Sequence, residues 1–215
     1  MHKLLILFTI LFSWQALSQD ERYFRQFFSG ELESREEATG AKKYHFLAQS
    51  PYYSIDLNAD GKLEHIVFAK KDGEDWIEII DHNDKKFFSY QLENKGYDSE
   101  LFRIELRILS PATRVLLLYY FEGVTKYIDL NGTARIYALS IDNGDLSKIG
   151  AFKGPSFYDE VKLLKGHYHK RNYDVFLKDY NSDGVKELTV KFKNYSYVYL
   201  YKGSGKWATF SRDFN

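Results

Sequence analysis

From residue 63 onward the chain alternates short apolar runs with polar, turn-forming clusters. Residues 63–69 (Leu63-Glu64-His65-Ile66-Val67-Phe68-Ala69) read as a strand. Lys71-Asp72-Gly73-Glu74 reads as a hairpin turn, since an Asp-Gly pair accepts the left-handed backbone such turns need. A return strand follows at 76–80, a polar turn at 81–85 and a third strand at 87–92. Residues 101–109 alternate strictly: Phe102, Ile104, Leu106 and Ile108 stand against Arg103, Glu105 and Arg107, which predicts a strand with one apolar face. Beyond Ser110-Pro111-Ala112-Thr113, the run 114–121 is almost wholly apolar and predicts a strand buried on both faces. Strand signals recur at 134–141, 147–152, 188–193, 195–201 and 207–210. They are separated by Asp142-Asn143-Gly144-Asp145, by Asn194 and by Gly203-Ser204-Gly205. Residues 154–170 carry no clear period and are expected to form a loop or a short helix. The pattern predicts an all-β fold of antiparallel hairpin repeats.

The N-terminus differs from the rest. Met1-His2-Lys3 is a short basic start, residues 4–14 are apolar, and Ala16-Leu17-Ser18 offers the small residues of a cleavage site. Residues 1–18 are therefore expected to be a signal peptide, and residues 19–215 a single exported domain, periplasmic or secreted. The apolar run is too short for a membrane span, and no later stretch approaches ~18–20 apolar residues, so no span is expected after cleavage. Residues 19–28 fit either a short helix or a strand, residues 34–43 a polar turn, and residues 44–48 a strand ended by Ser50-Pro51.

Composition narrows the function classes. Tyr (18) and Phe (17) against only 3 Pro favour strands, in keeping with the hydrophobic pattern. The absence of cysteine excludes a disulfide scaffold, a lipid-modified cysteine anchor and a cysteine nucleophile. An exported domain so built must rely on core burial or on metal, and the 197 residues after position 18 suffice for a sizeable core. Thirty basic against 30 acidic residues give no electrostatic footprint for nucleic acid.

The candidate chemistry lies in one nine-residue pattern written twice. Asp56-Leu57-Asn58-Ala59-Asp60-Gly61-Lys62-Leu63-Glu64 and Asp179-Tyr180-Asn181-Ser182-Asp183-Gly184-Val185-Lys186-Glu187 both read D-x-N-x-D-G-x-x-E, starting 123 residues apart. Oxygen-bearing side chains at positions 1, 3, 5 and 9, with Gly at 6, let a short loop wrap a hard cation. Position 7 (Lys62, Val185) would contribute a backbone carbonyl, so its side chain need not be acidic. All-oxygen ligands favour calcium over zinc. The same residues also make a good metal-free turn, since Asp and Asn bond their own backbone. Leaving two Asp and a Glu clustered without a cation is costly, however. An EF-hand is excluded because position 12 is Val67 or Val190, inside a strand signal, rather than a Glu in a helix. A third, degenerate start, Tyr127-Ile128-Asp129-Leu130-Asn131-Gly132, lacks the last carboxylates.

Two such loops, each running straight into a strand, resemble the calcium loops of the integrin-like FG-GAP and VCBS repeat family. The resemblance covers about fourteen residues per copy. It implies an exported, β-propeller-like fold, incomplete or irregular here because the middle copy has lost its ligands and propellers have about 4–8 blades. It also implies one Ca2+ per loop. Asp56, Asn58, Asp60, the Lys62 carbonyl and Glu64 would hold the first, and Asp179, Asn181, Asp183, the Val185 carbonyl and Glu187 the second. The expected role is structural, or binding of a protein or glycan ligand that the sequence does not name.

Other features compete. His167-Tyr168-His169 would place two imidazoles on one side of a strand, and an exported hydrolase with its site near His167 and His169 is the alternative function. No catalytic residue is assigned: no hydrolase elbow, phosphate loop or dinucleotide fingerprint occurs. Tyr119-Tyr120-Phe121 and the alternating Tyr195, Tyr197, Tyr199 and Tyr201 could form a sugar- or peptide-binding face.

Overall fold

The computed structural model describes residues 52–94, 98–126, 129–163 and 166–211. The chain divides into two units, residues 1–49 and 50–215, and every described residue lies in the second. The signal peptide and the elements expected at 19–28, 34–43 and 44–48 fall outside the described residues.

Among the described residues thirteen strands follow one another: β1 (Tyr52–Ile55), β2 (Glu64–Lys71), β3 (Glu74–Ile80), β4 (Lys86–Leu92), β5 (Asp98–Ser110), β6 (Thr113–Lys126), β7 (Asp129–Asp142), β8 (Gly150–Lys162), β9 (Tyr168–Asn172), β10 (Asp174–Lys178), β11 (Glu187–Phe192), β12 (Tyr195–Tyr201) and β13 (Trp207–Ser211). They form three antiparallel sheets in chain order, β1–β4, β5–β9 and β10–β13, each strand bonded to its sequence neighbours. The fold is all-β. Among the described residues the two outer strands of each sheet have one neighbour each, and no closed barrel or propeller forms.

Short connections make this order. Asp72 (φ 53°) and Gly73 (φ 81°) turn β2 into β3 as the Asp-Gly signal predicts. The two four-stranded sheets are built alike. In each, a nine-residue acidic loop joins the first two strands, with Ile55 paired to Glu64 in one and Lys178 to Glu187 in the other. The internal repeat is thus two matching sheets flanking a different, five-stranded one in sequence.

Strand β6 is the centre of the core. Residues Val115 to Phe121 are all buried, so the apolar run does have both faces covered. Leu116, Leu118 and Tyr120 pack in one cluster with Ile66, Ile77 and Ile79 of the first sheet. Each such side chain contributes about 1.5–3 kcal/mol by leaving water. The third sheet joins the second through Phe152, stacked on Trp207 (ring centroids 5.5 Å apart) and tilted against Tyr199 (5.8 Å).

Three expectations needed correction. The stretch 154–170 is largely strand, in β8 and β9; register shifts opposite Ala134, Arg135 and Tyr137 break its alternation and hide the period. Residues 147–152 are not one strand: a 3-10 turn occupies Leu146–Lys148, capped by Asp145 accepting the Ser147 N–H (3.0 Å), before β8 begins. In β5 the strict alternation is broken by irregularities between Leu101 and Arg103 and between Ile108 and Ser110. Leu101 and Leu109 are buried instead, and Ile108 is 57% exposed. The described part of the degenerate third copy, residues 129–132, is strand. Asn131 and Gly132 run inside β7, where Gly132 pairs with Gly123 and both lie against the Phe121 ring; a Cβ would sit 2.8 Å and 2.5 Å from its atoms, respectively.

Candidate metal centres

Each acidic loop is folded by its own side chains. In the first, Asp56 accepts the N–H of Ala59 (Oδ1, 2.6 Å) and of Gly61 (Oδ2, 3.0 Å). Asn58 Oδ1 accepts the Asp60 N–H (3.1 Å), and Asp60 Oδ1 accepts the Lys62 N–H (2.8 Å). In the second, Asp179 accepts Ser182 (2.7 Å) and Gly184 (3.0 Å), Asn181 accepts Asp183 (3.0 Å) and Asp183 accepts Val185 (2.8 Å). Matching bonds differ by no more than 0.1 Å. Positions 4 and 6 are left-handed in both: Ala59 φ 64° and Gly61 φ 84°, Ser182 φ 59° and Gly184 φ 83°. Glycine at position 6 removes the strain a side chain would meet there.

The ninth residue ties the loop shut. Glu64 and Glu187 are only 2% exposed, and their Oε2 atoms accept the position-2 N–H, from Leu57 and Tyr180, at 2.9 Å each. Burial pushes the Glu64 carboxyl above its ordinary range; the Leu57 N–H opposes this, while the charges of Asp60 and Asp56 add to it. Asp60, by contrast, is held below its ordinary range by the Lys62 N–H and the Asn58 amide.

The second loop also gathers its carboxylates. In the second loop one carboxylate oxygen from each of Asp179, Asp183 and Glu187 lies within 4.8 Å of the others. Oxygens bound at ~2.4 Å to one ion are at most ~4.8 Å apart, so the three groups are close enough together to reach a single cation. Among the described residues this three-carboxylate convergence occurs in the second loop only. The first loop has the same backbone conformation and hydrogen bonds with its carboxylates less gathered. Asn58 and Asn181 donate their amide nitrogens to the neighbouring Asp60 (3.1 Å) and Asp183 (2.9 Å), which tempers repulsion within each loop. Lys62 and Val185 occupy position 7, each with its N–H bound back to position 5.

Some contributors escaped the sequence reading. The position-2 N–H that anchors the buried Glu belongs to Leu57 and Tyr180, residues without ligand chemistry of their own. Lys178 lies over the Tyr180 ring (5.0 Å). Asp142, expected only as part of a turn, accepts from Thr113 (2.8 Å), Tyr201 (2.7 Å) and the Ser204 N–H (3.0 Å). Burial raises the Asp142 carboxyl, but these donors outweigh it and leave the group below its ordinary range.

The competing features separate. His167 is exposed in a turn and His169 is half-buried in β9; neither joins a group of three metal-holding side chains among the described residues. Tyr119, Tyr120 and Phe121 are at most 6% exposed and can form no binding face. The β12 tyrosines divide: Tyr199 and Tyr201 pack on Phe152 and Trp207, whereas Tyr195 and Tyr197 are 69% and 48% exposed. No helix among the described residues is long and apolar enough to cross a membrane. No protein-family model, no curated protein and no solved structure matches the chain.

Proposed function

We propose that the chain is an exported calcium-binding β-repeat module with a structural or partner-binding role, each acidic loop holding one Ca2+. The observation that carries this reading is the convergence of Asp179, Asp183 and Glu187 in a loop whose backbone geometry the other copy repeats. Asp56, Asn58, Asp60, the Lys62 carbonyl and Glu64 would hold one ion; Asp179, Asn181, Asp183, the Val185 carbonyl and Glu187 would hold the other. Bound calcium supplies charge neutralisation for the clustered carboxylates and pins the entry to β2 or β11. The like-for-like build of the first and third sheets supports a propeller-like repeat of the FG-GAP and VCBS kind. A protein or glycan partner would meet the exposed Tyr195 and Tyr197.

Calorimetric titration of the full chain with calcium tests the reading. Two ions are expected, falling to one in Asp60→Ala and one in Asp183→Ala. Unaltered binding in both variants overturns the site assignment.

A further inference from the structure

The matching first and third sheets differ in how their lysines are balanced. In the first, Lys71 and Lys86 both pair with Glu78, Lys86 at 3.0 Å, and the Lys70 charge acts on Glu100 of the central sheet. In the third, the stretch from Leu188 to Ser211 holds Lys191, Lys193, Lys202 and Lys206 and no acidic residue. All four lysines are exposed, and none forms an ion pair among the described residues. Even Asp174, opposite Lys191 in the β10–β11 register, makes no ion pair with it. Two of these lysines frame the β11–β12 hairpin, whose exposed end also carries Asn194, Tyr195 and Tyr197. Lys193 opens its two-residue turn with a left-handed backbone (φ 53°), a place that hairpins give to Gly, Asn or Asp because other side chains are strained there. The β2–β3 hairpin follows that preference with Asp72-Gly73; this one keeps a lysine, lying over the Phe192 ring at 5.3 Å. Strain held at an exposed tip points to a use for the side chain. Tyr195 and Tyr197 stand on one side of β12, about 7 Å apart along the strand, just beyond the turn.

We propose that this hairpin end is the docking surface for an anionic polysaccharide, a glycan with carboxylate groups along its chain. The proposal rests on the partner-binding half of the function above and deepens it, but does not depend on calcium in the loops. Charge selects the sign of the partner: with no acid from Leu188 to Ser211, a neutral or cationic chain would leave Lys191 and Lys193 unanswered, whereas carboxylates neutralise them. The rings select its body. Each tyrosine offers a flat apolar face to the C–H side of a sugar ring and a phenol to its hydroxyls, and a row of rings along the strand suits a row of sugars. Single-stranded nucleic acid would also meet lysines and stacking rings. Against it, the whole chain balances 30 basic with 30 acidic residues, and no arginine stands between Leu188 and Ser211 to fork onto phosphate.

The test titrates hyaluronate, a carboxylated polysaccharide, into the full chain, with its carboxyl-reduced form, poly-glutamate and oligo-thymidylate as the other arms. Hyaluronate is expected to bind with an affinity that falls as salt rises, and carboxyl reduction to weaken it about tenfold or more. Tyr195→Ser combined with Tyr197→Ser is expected to cost about tenfold or more. Lys193→Gly separates binding from folding, since it removes the charge and relieves the backbone. Its affinity should fall about fivefold, the upper end for one exposed charge pair, while its melting temperature holds or rises. A lysine with a structural role alone would leave binding unchanged. No binding of hyaluronate, or full binding by Lys193→Gly, overturns the proposal. Equal binding of the carboxyl-reduced form overturns the anionic assignment and leaves a glycan partner standing. Tighter binding of poly-glutamate or oligo-thymidylate through the same residues overturns the glycan assignment in favour of an acidic protein or a nucleic acid. Failure of the calcium reading shows elsewhere, in the ion counts of Asp60→Ala and Asp183→Ala, and leaves hyaluronate binding unchanged.

Discussion

Glu187 performs two tasks that substitution can separate. It is one of three converging carboxylates, and it is the buried acceptor that closes the second loop on the Tyr180 N–H at 2.9 Å. Glu187→Gln removes the charge but keeps a carbonyl oxygen for Tyr180; Glu187→Ala removes both. At a hundredfold excess over its dissociation constant, one calcium adds ~2.7 kcal/mol of stability. In a domain of this size ~1 kcal/mol moves the midpoint by about 2–4 °C, so one lost ion costs about 5–11 °C. Both variants should lose that calcium-dependent increment. Without calcium they should part: Glu187→Ala leaves a part-buried N–H unsatisfied, at about 1 kcal/mol, whereas Glu187→Gln melts near the wild type. The assay is thermal unfolding by circular dichroism in excess calcium, in excess magnesium and in chelator. If Glu187→Gln retains the full calcium-dependent rise, Glu187 is a loop closure only and the ligand assignment fails. If the two variants melt alike in chelator, the buried hydrogen bond does not carry the loop.

Further outcomes follow from other parts of the fold. Burial pushes the Glu100 carboxyl up to about 7 against the pull of Lys70. Between about 4.5 and 7 the folded state then holds the proton that the unfolded state has released, so stability should fall as pH rises through that window. The full effect would be about 3 kcal/mol, which partial solvent exposure cuts to about 1–2 kcal/mol; Glu100→Gln should flatten denaturant midpoints measured from pH 4.5 to 8, and an unchanged slope refutes the assignment. Gly150→Ala would put a Cβ 2.2 Å from the Gly205 Cα, forcing the β12–β13 turn away from β8. A loss of about 1–3 kcal/mol is expected from overpacking, read by urea unfolding, and a neutral result would mean that the two backbones do not meet. Leu116→Ala, at a fully buried position of β6, should cost about 2–5 kcal/mol by the same assay, with a near-neutral effect refuting its place in the core.

Much of the architecture was legible because hairpin signals are local. Asp72-Gly73 marks its turn by backbone preference alone, and the apolar run 114–121 marks a strand buried on both faces without knowledge of its neighbours. The acidic loops were legible for the same reason: D-x-N-x-D-G-x-x-E bonds its own backbone, so its conformation is written within nine residues. The start of β7 was harder, since Asp129-Leu130-Asn131-Gly132 looks locally like another such loop. Its glycine answers a non-local demand, room for the Phe121 ring, and the segment pairs as strand.

What the sequence determined by itself was the all-β class, the hairpins marked by local turn signals and two self-folding acidic loops, because each depends on side chains reaching groups a few residues away. Only the tertiary structure decided which tyrosines of β12 stay exposed and which pack on Phe152 and Trp207. It also decided that the β5 alternation slips at two irregularities, and that both loops meet the same end of the central sheet. Those outcomes depend on which surfaces the sheets bury against one another. Contacts such as Asn58 with Gly144, or Lys186 with Leu109, join residues more than seventy positions apart, beyond the reach of any local period.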